Sequence, residues 1–322
     1  MVSQAASLGT ITIMPNTPKL ILDCDPGHDD AIAIMVAAQH SNMLGITAVG
    51  GNVALPLTTH NALITAQILG LDVPVFAGAD RPLVAEPKHA EFIHGETGLG
   101  GPELPELTRN AESQHAVDFI IETVRNTPDV WLVPTGPLTN IALALRHAPD
   151  IADKVAGIAI MGGGQDFGNV TVTAEFNIWH DPEAADVVFR SGANVIMCGL
   201  DLTHQFTLYE KDISDLRAIG NKVALFATDM LEYYSQAYAN KFFGVPQAPL
   251  HDPCAVMTVT HADMFTFKKR HVDIELQGTF TRGMTVVDKR GVREEESANV
   301  NIAETIDSEA ALTLLKTTLE AY

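Results

Sequence analysis

Four aspartates lie within eight residues near the beginning of the chain, in the segment KLILDCDPGHDDA that runs from Lys19 to Ala31. They are Asp23, Asp25, Asp29 and Asp30. Carboxylates this close repel one another and raise each other's pKa unless a cation neutralises them or solvent screens them. Because apolar residues flank the segment on both sides, the pattern favours a bound cation over a solvated acidic turn.

The order of residues in this segment indicates how the carboxylates are brought together. The branched apolar residues before Asp23 are typical of a strand. Pro26 and Gly27 then impose a sharp turn, since proline fixes φ and glycine permits conformations closed to other residues. Asp29 and Asp30 fall in the first turn of the next helix, where the helix dipole favours negative charge. We therefore expect the carboxylates to converge at the end of a strand.

A further aspartate, Asp252, stands far along the chain in the segment APLHDPCAV. Together with Asp25 and Asp30 it offers only oxygen ligands, which hard cations such as Ca²⁺ and Mg²⁺ prefer. The three cysteines form no CxxC pair and the histidines are not clustered, which argues against zinc or copper. The EF-hand pattern does not fit, because no glutamate closes a loop at the required distance. Two other uses of such aspartates stay open: an aspartyl-phosphate phosphotransferase and a structural ion site.

Several polar residues could act beside such a cation. His251 directly precedes Asp252, where an imidazole could serve as an acid near neutral pH or have a structural role. Amide and acid side chains that could bind vicinal hydroxyls, or simply satisfy loop backbone, are Asn52, Asn169, Glu175 and Asn177.

Short apolar runs alternate with amphipathic segments of helical length, the pattern of βαβ units in a parallel sheet. The predicted strands are Leu20–Asp23, Leu44–Val49, Val73–Phe76, Val130–Val133, Val155–Met161 and Asn194–Cys198. The predicted helices between them are Asp29–Gln39, Pro56–Leu69, Gln114–Asn126, Pro137–Arg146 and Pro182–Ser191. We expect an α/β fold with an open, mostly parallel sheet flanked by helices, similar to a Rossmann fold.

Unusual polar loops follow most of these strands directly. They read DPGHDD, GGN at residues 50–52, PTGPLTN at 134–140, GGGQDFGNVTVTAEFN at 162–177, and GLDLTHQ after the sixth strand. In open parallel sheets ligands bind outside the carboxyl ends of the strands. The joint position of these loops at one sheet edge therefore predicts a binding site there.

The remaining segments complete the expected organisation. A long Pro- and Gly-rich stretch from Gly78 to Asn110 is interpreted as a mobile flap or as a passive excursion. After Asp201 helices are predicted near residues 209–219, 223–238 and 252–260, with a closing helix at 308–319. Val272–Leu276 and Gly283–Asp288 predict a small antiparallel addition near the C-terminus. We expect an N-terminal extension over residues 1–18 and a single domain over 19–322.

Composition excludes several partners. The 322-residue chain has 40 acidic and 20 basic residues, and a net charge of −20 repels nucleic acids and anionic membranes. The first residues lack the positive start of a signal peptide, and no apolar run approaches the roughly 20 residues of a membrane span. With an odd number of scattered cysteines, we expect a cytoplasmic protein whose partner is a small molecule.

Six motifs taken together resemble the nucleoside hydrolase family, over the chain from about Lys19 to the C-terminus. They are DCDPGHDDA, the GGN turn, PTGPLTNIA, MGGG followed by AEFN and DPEAA, GLDLTHQ, and HDPCAV. The resemblance implies a ribonucleoside N-glycosidase of nucleoside salvage, with a tightly bound Ca²⁺ on an open α/β fold, and a homodimer or homotetramer as its assembly.

The resemblance also assigns roles to individual residues. Asp25 matches the general base and a metal ligand, and the other metal ligands are Asp30, Asp252 and the backbone carbonyl of Thr135. Positions that hold the ribose hydroxyls or line the pocket are Asp29, Asn52, Asn169, Glu175, Asn177 and Met161. His251 matches the leaving-group position. Residues expected near the base are His94, Tyr238 and, as a neighbour, Gln236.

The implied reaction is attack of a Ca²⁺-bound water, deprotonated by Asp25, on C1′ with inversion, while His251 assists the departing base. His251 resembles the branch that prefers pyrimidines or inosine and uridine, since purine-specific relatives tend to stack tryptophans around the base. The only tryptophans are Trp131, in a predicted strand, and Trp179, close after AEFN.

Three alternatives are kept. An aspartyl-phosphate phosphatase using Mg²⁺ needs cationic groups against the phosphate, and no candidate site loop contains lysine or arginine. A non-enzymatic Ca²⁺-binding module has little use for the amides at several strand ends. A nucleoside transferase or phosphorylase would be separated by dependence on phosphate.

Overall fold

The computed structural model describes residues 17–290 and 297–322. The predicted N-terminal extension, apart from its last two residues, lies outside the described residues. The strands are β1 Lys19–Cys24, β2 Asn42–Ala48, β3 Val75–Ala77, β4 Val130–Pro134, β5 Gly157–Met161, β6 Val195–Cys198, β7 Thr207–Leu208, β8 Ala248–Pro249, β9 Phe265–Arg270, β10 Val272–Ile274, β11 Thr285–Val287 and β12 Val300–Ile306.

Helices connect these strands. They are α1 His28–His40, α2 Leu55–Ile68, α3 Glu91–His94, α4 Ala116–Asn126, α5 Thr139–His147, α6 Phe176–His180, α7 Pro182–Phe189, α8 Leu200–Thr203, α9 Glu210–Arg217, α10 Lys222–Tyr238, α11 His251–Thr260 and α12 Ser308–Glu320. A π-helical turn, Ala239–Phe243, follows α10. Among the described residues no helix is both long and apolar enough to cross a membrane.

The described strands form one eight-stranded sheet in the order β3-β2-β1-β4-β5-β6-β12-β9 and two small antiparallel pairs. The neighbouring strands of the large sheet run parallel except for β9, which pairs antiparallel with β12. The strand order reverses direction between β1 and β4. In sheets of this kind that reversal opens a crevice at the carboxyl ends of the strands, where ligands bind.

Helices α1 and α11 pack against each other inside the fold. This burial explains why their sequences are apolar on every side. Ala31 to Ala37 in α1 are 0% exposed, and so are Cys254 to Met257 in α11. A helix that is buried all round needs apolar residues on all its faces. Because both helices begin near the same sheet edge, their first turns bring Asp29, Asp30 and Asp252 together.

The predicted α/β class with a mostly parallel sheet is confirmed, and so is the small antiparallel addition, where Val272 pairs with Val287. Two predictions need correction. The long stretch from Gly78 to Asn110 contains the short helix α3, and Pro137 lies ahead of α5, which begins at Thr139.

Strands β9 and β12 were not predicted. Strand β9 reads FTFKKR and lies at the edge of the sheet with most of its side chains exposed, so it lacks an apolar run. Strand β12 reads VNIAETI, in which polar residues interrupt the apolar ones. Edge position and partial exposure remove the hydrophobic signal by which a buried strand is recognised.

Candidate functional site

A cavity opens at the carboxyl edge of the sheet, beside the crevice between β1 and β4. Predicted site residues that line it are Asp29, Asn52, His94, Thr135, Met161, Asn169, Glu175, Asn177, Tyr238, His251 and Asp252. Asp25 and Asp30 are buried behind this lining, with exposures of 1% and 0%.

Three carboxylates, two in the cavity lining and Asp30 directly behind it, form a group that we call the floor of the cavity. One oxygen from each of Asp29, Asp30 and Asp252 lies within 4.8 Å of the other two, and all three side chains are buried. The first turns of α1 and α11 supply them, so the partial positive charges of two helix N-termini point at the group. Asp29, predicted to hold ribose, is thus as close to the other carboxylates as a metal ligand would be.

Asp25 stands next to this group and is not a member of it. Its Oδ2 accepts a hydrogen bond of 2.6 Å from the backbone N–H of Asn52. Its Oδ1 is buried and has no hydrogen-bond partner among the described residues. A buried carboxylate oxygen without a partner is costly unless a cation or a ligand proton meets it.

Two glycines leave room for the Asp25 carboxylate. A Cβ on Gly51 would stand 2.1 Å from Asp25 Oδ2, and a Cβ on Gly136 would stand 2.4 Å from Oδ1. Any larger residue at either position would therefore collide with the carboxylate. This contact gives a physical reason for the glycines in the GGN and PTGPLTN loops.

Hydrogen bonds orient Asp30. Its Oδ2 accepts from the backbone N–H of Gly27 at 2.9 Å and from Asn52 Nδ2 at 3.4 Å, and its Oδ1 accepts from the Thr135 hydroxyl at 2.8 Å. Asn52 Nδ2 also donates to the backbone carbonyl of Asp25 at 3.1 Å. Asn52 and Thr135 therefore connect the ends of three strands to one carboxylate.

The carboxylates of the floor can ionise together only if a cation balances their negative charge. Burial raises the pKa of Asp25, Asp29, Asp30 and Asp252, and repulsion between the carboxylates raises the pKa of Asp25, Asp29 and Asp252 further. Ionising these side chains together is therefore unfavourable without a positive charge among them. With oxygen-only donors and an unpartnered Asp25 Oδ1, these residues fit a hard divalent cation such as Ca²⁺ or Mg²⁺.

Asn177 spans two strand ends on the other side of the cavity. Its Nδ2 donates to the carbonyl of Thr135 at 2.7 Å and to the carbonyl of Met161 at 3.1 Å. The Thr135 carbonyl, the predicted metal ligand, is thus held by the amide and retains a second lone pair. The same amide contact fixes Met161 beside the cavity.

Glu175 and Asn169 have structural hydrogen bonds as well as a place in the lining. The Glu175 carboxylate caps α6 and accepts from the backbone N–H groups of Gly163, Asn177 and Ile178. Burial raises the pKa of Glu175 to about 7. Asn169 Oδ1 accepts from the backbone N–H of Phe176 at 2.9 Å. These bonds hold the two side chains at the cavity wall.

Both ring nitrogens of His251 are hydrogen-bonded. Nδ1 lies 2.7 Å from the Thr203 hydroxyl, and Nε2 lies 2.9 Å from the Tyr238 hydroxyl. Burial, and after it the nearby His204, holds the pKa of His251 well below its usual range, so the ring is neutral. A neutral ring between two hydroxyls can pass a proton along the line from Thr203 to Tyr238.

Gln236, expected as a neighbour of the base, does not line this cavity: its side chain is exposed, borders a separate groove and donates to Asn240. Tyr234 lines the cavity instead, and its hydroxyl donates to Asp29 at 3.4 Å. Residues four apart share a helix face, so Tyr234 follows from the prediction of Tyr238 while Gln236 points elsewhere. Thr203 was also missed, although it lies within the GLDLTHQ motif.

The segment from Gly78 to Asn110 covers the cavity and is tied down at several points. The backbone N–H of Leu83 donates to Asp181 at 2.9 Å, and His180 Nδ1 donates to the carbonyl of Lys88 at 3.1 Å. The backbone N–H of Ala90 donates to the carbonyl of Asn52 at 2.8 Å. We call this segment the flap. Its helix α3 places His94 in the cavity wall, while Phe92 of α3 and Phe242 of the π-helical turn stand at the mouth.

Comparison with known proteins identifies the class. The model for the inosine-uridine preferring nucleoside hydrolase family matches residues 20–313, and the chain belongs to that family of enzymes. It is 42% identical over 310 residues to the pyrimidine-specific ribonucleoside hydrolase RihA of Shewanella woodyi, covering 95% of this chain and 99% of the relative.

Solved structures agree with this assignment. A purine-preferring ribonucleoside hydrolase from Gardnerella vaginalis superimposes with a TM-score of 0.88 at 36% identity, covering 94% of this chain and 98% of that one. A plant nucleoside hydrolase also gives a TM-score of 0.88, at 32% identity and with 95% and 99% coverage. The recognised family and its fold are thereby confirmed.

Replacing Asp252 by Asn should remove the stabilisation that a divalent cation gives the folded protein. A cation that binds only the folded state contributes about 2.7 kcal/mol at 100 times its dissociation constant. Differential scanning fluorimetry with Ca²⁺ and with chelator measures this shift. In chelator the variant should unfold at or above the wild-type temperature, because one repelling carboxylate is gone.

The exposed Asp263→Asn provides a control with the same change of charge, and it should keep the full Ca²⁺-dependent shift. An Asp252→Asn protein that still gains the wild-type stabilisation in Ca²⁺ would show that the cation binds elsewhere.

Proposed function

We propose that this enzyme hydrolyses the N-glycosidic bond of ribonucleosides to ribose and free base, with inversion at C1′. The observation that carries the proposal is the buried carboxylate floor of an amide-lined cavity, at the point where the strand order reverses, in a chain of the nucleoside hydrolase family. Carboxylates on the floor suit a cation and a water, and amides on the wall suit sugar hydroxyls.

The proposed cofactor is Ca²⁺, held by Asp25, Asp30, Asp252 and the carbonyl of Thr135, with Asp29 beside them. Support comes from the donor set, which is all oxygen and includes a backbone carbonyl, as Ca²⁺ sites commonly do. When bound, the ion supplies Lewis-acid chemistry that lowers the pKa of a water and grips sugar hydroxyls.

Asp25 is the proposed general base. The backbone N–H of Asn52 holds Oδ2 at 2.6 Å, which fixes the carboxylate plane, and the unpartnered Oδ1 is the atom that takes the proton from the attacking water. Since Asp25 lies beneath the cavity lining, water attacks the sugar from below. The base departs upward, and attack from the opposite face inverts C1′.

The ribose is proposed to lie on the amide wall. Asn177, Asn169 and Glu175 present polar atoms there, and Asn52 and Asp29 present theirs on the side of the floor. Because backbone groups already hold Glu175 and Asn169, these side chains need little reordering when a hydroxyl binds. Met161 supplies the apolar contact beneath the sugar ring.

The leaving base is proposed to depart against His251 and Tyr238, with His94 on the flap nearby. A departing base accumulates negative charge, so a proton or hydrogen bond given to it lowers the barrier. The 2.9 Å contact between His251 Nε2 and the Tyr238 hydroxyl places two proton carriers in one chain at the cavity wall.

We propose a preference for pyrimidine nucleosides or for inosine and uridine. The 42% identical relative named as pyrimidine-specific supports this preference, whereas the 36% identical structure is named as purine-preferring. Within the described residues no tryptophan lines the cavity, and Trp179 instead packs its ring under the Lys88 ammonium. Phe92 and Phe242, at the mouth of the cavity, are the aromatic side chains proposed to stack on the base.

A phosphatase is disfavoured by the same lining. Neither lysine nor arginine lines the cavity in the described part of the chain, so a phosphate would meet carboxylates without a balancing cation from the protein. The non-enzymatic Ca²⁺ module is set aside by membership of a hydrolase family.

We further propose a single domain over residues 19–322, a homodimer or homotetramer, and a cytoplasmic location in nucleoside salvage. Two apolar clusters each draw residues from most of the chain, one from Leu20 of β1 to Leu319 of α12 and the other from Ile21 of β1 to Ile302 of β12, which supports the single domain. All three cysteines are buried and unpaired, which suits a reducing compartment.

Replacing Asp25 by Asn should lower ribose release by at least two decades, since a positioned base contributes about 10² to 10⁴ in rate. A reducing-sugar assay on uridine, cytidine, inosine and adenosine measures it, and the wild type should favour uridine over adenosine. The exposed Asp166→Asn is the control and should turn over normally. Near-normal turnover by Asp25→Asn would remove the proposed base.

Replacing His251 by Ala should slow natural nucleosides by about 10² to 10⁴ while sparing p-nitrophenyl riboside, whose leaving group needs no proton. The ratio of kcat/KM values for the two substrates is the measurement. The exposed His147→Ala should leave this ratio at the wild-type value. Equal losses on both substrates would contradict an acid role for His251.

A further inference from the structure

His28 is a buried polar residue to which the proposed reaction assigns no role. It is 0% exposed, begins α1 and is absent from the cavity lining. Its two ring nitrogens nevertheless have separate partners on the flap. Nε2 lies 2.9 Å from the carbonyl of Gly100, and Nδ1 lies 3.0 Å from Nδ1 of His94.

Aromatic rings hold the orientation of His28. Its ring stacks on His94 at a centroid distance of 5.2 Å and on Tyr233 and Tyr234 at 5.4 Å each. Tyr233 and Tyr234 belong to α10, so the flap, α1 and α10 meet at this imidazole. A ring clamped in this way cannot turn without breaking both hydrogen bonds.

The backbone of α1 shows the same close fit to His94. A Cβ on Gly27 would stand 2.4 Å from His94 Nδ1 and 2.6 Å from its Cε1, so the His94 ring lies directly over the helix N-cap. The backbone nitrogen of His28 also lies only 3.3 Å from His94 Nδ1. The glycine of the DPGHDD motif therefore leaves space for a flap residue as well as turning the chain.

The hydrogen bonds restrict how His94 can face a substrate. Because the Gly100 carbonyl can only accept, His28 Nε2 is the donor of that bond. A neutral His28 therefore accepts at Nδ1, and His94 Nδ1 is the donor of the bond between the two rings. His94 Nδ1 is thereby occupied, and Nε2 is left as the polar atom of His94 for the cavity that this residue lines.

We propose that His28 is a positioning residue for the base side of this site. Its Nδ1 orients His94 towards the nucleoside, while its Nε2 holds the flap at the Gly100 carbonyl. This inference rests on the proposed nucleosidase function. Asp29 and Asp30, which follow His28 directly, belong to the cation site, so one helical turn connects the two halves of the active site. An orientation fixed in advance lowers the cost of reaching the reactive geometry.

Three substitutions separate the two hydrogen bonds of His28. His28→Asn places an amide near the position of Nδ1 and keeps the contact with His94. His28→Gln places it near the position of Nε2 and keeps the contact with Gly100. His28→Leu keeps neither contact. We compare these variants with His94→Ala and with the double variant His28→Leu/His94→Ala. This comparison tests whether His28 acts through His94.

Ribose release should fall about 10- to 100-fold in His28→Leu and His28→Gln, and His28→Asn should recover most of it. The double variant should be no slower than His94→Ala alone, and the kcat and KM values of His28→Leu should move in the same direction as those of His94→Ala. Full activity in His28→Leu, retention by Gln but not by Asn, or additive losses in the double variant would each overturn the positioning role.

A second readout does not depend on activity. The ¹⁵N chemical shifts of His94, measured on the Ca²⁺-loaded protein, should change in His28→Leu and stay close to wild type in His28→Asn. Unchanged shifts in a folded His28→Leu protein would overturn the proposal. An absence of ribose release from the wild type, with the expected shift changes present, would instead count against the proposed function alone.

Discussion

Repulsion between buried carboxylates is the constraint on which the rest of this structure depends. One carboxylate oxygen from each of Asp29, Asp30 and Asp252 lies within 4.8 Å of the other two, all three side chains are at most 5% exposed, and Asp25 lies beside them. In the absence of a positive charge, burial and mutual repulsion favour the protonated acids, as the raised pKa values show. A fold that nevertheless keeps such a group together is organised around a cation.

The surrounding structure lowers the cost of this arrangement. Two helix N-termini point at the group, the Gly27 backbone N–H and the Thr135 hydroxyl donate to Asp30, and the Asn52 backbone N–H donates to the neighbouring Asp25. The apolar packing of α1 and α11 holds the two first turns against the repulsion. The packing of the apolar core thereby stabilises a site in which repulsion between the carboxylates opposes folding.

The parts that could be predicted from sequence are those with a strong local signal. Buried parallel strands read as apolar runs, and the loops after them contain glycines, amides and aspartates, so the edge that bears the site was predictable. Strands β9 and β12 were missed, because edge exposure and interrupting polar residues weaken that signal. Gln236 was expected as a neighbour of the base, but the helix turns its side chain to the surface.

Other features depend on tertiary contacts. The two hydrogen bonds of His251, to Thr203 and Tyr238, join segments 48 and 13 residues away in sequence. The contact between His28 and His94 spans 66 residues. No local pattern encodes such pairs, and a single sequence offers only the residue types from which they are built.

A crystal structure of the protein grown with Ca²⁺, with anomalous differences used to identify the ion, would show whether the buried carboxylates hold a cation. We predict one strong peak at roughly 2.3–2.6 Å from oxygens of Asp25, Asp30, Asp252 and the Thr135 carbonyl. A cavity floor without such a peak, or an ion bound at a different group of residues, would contradict it.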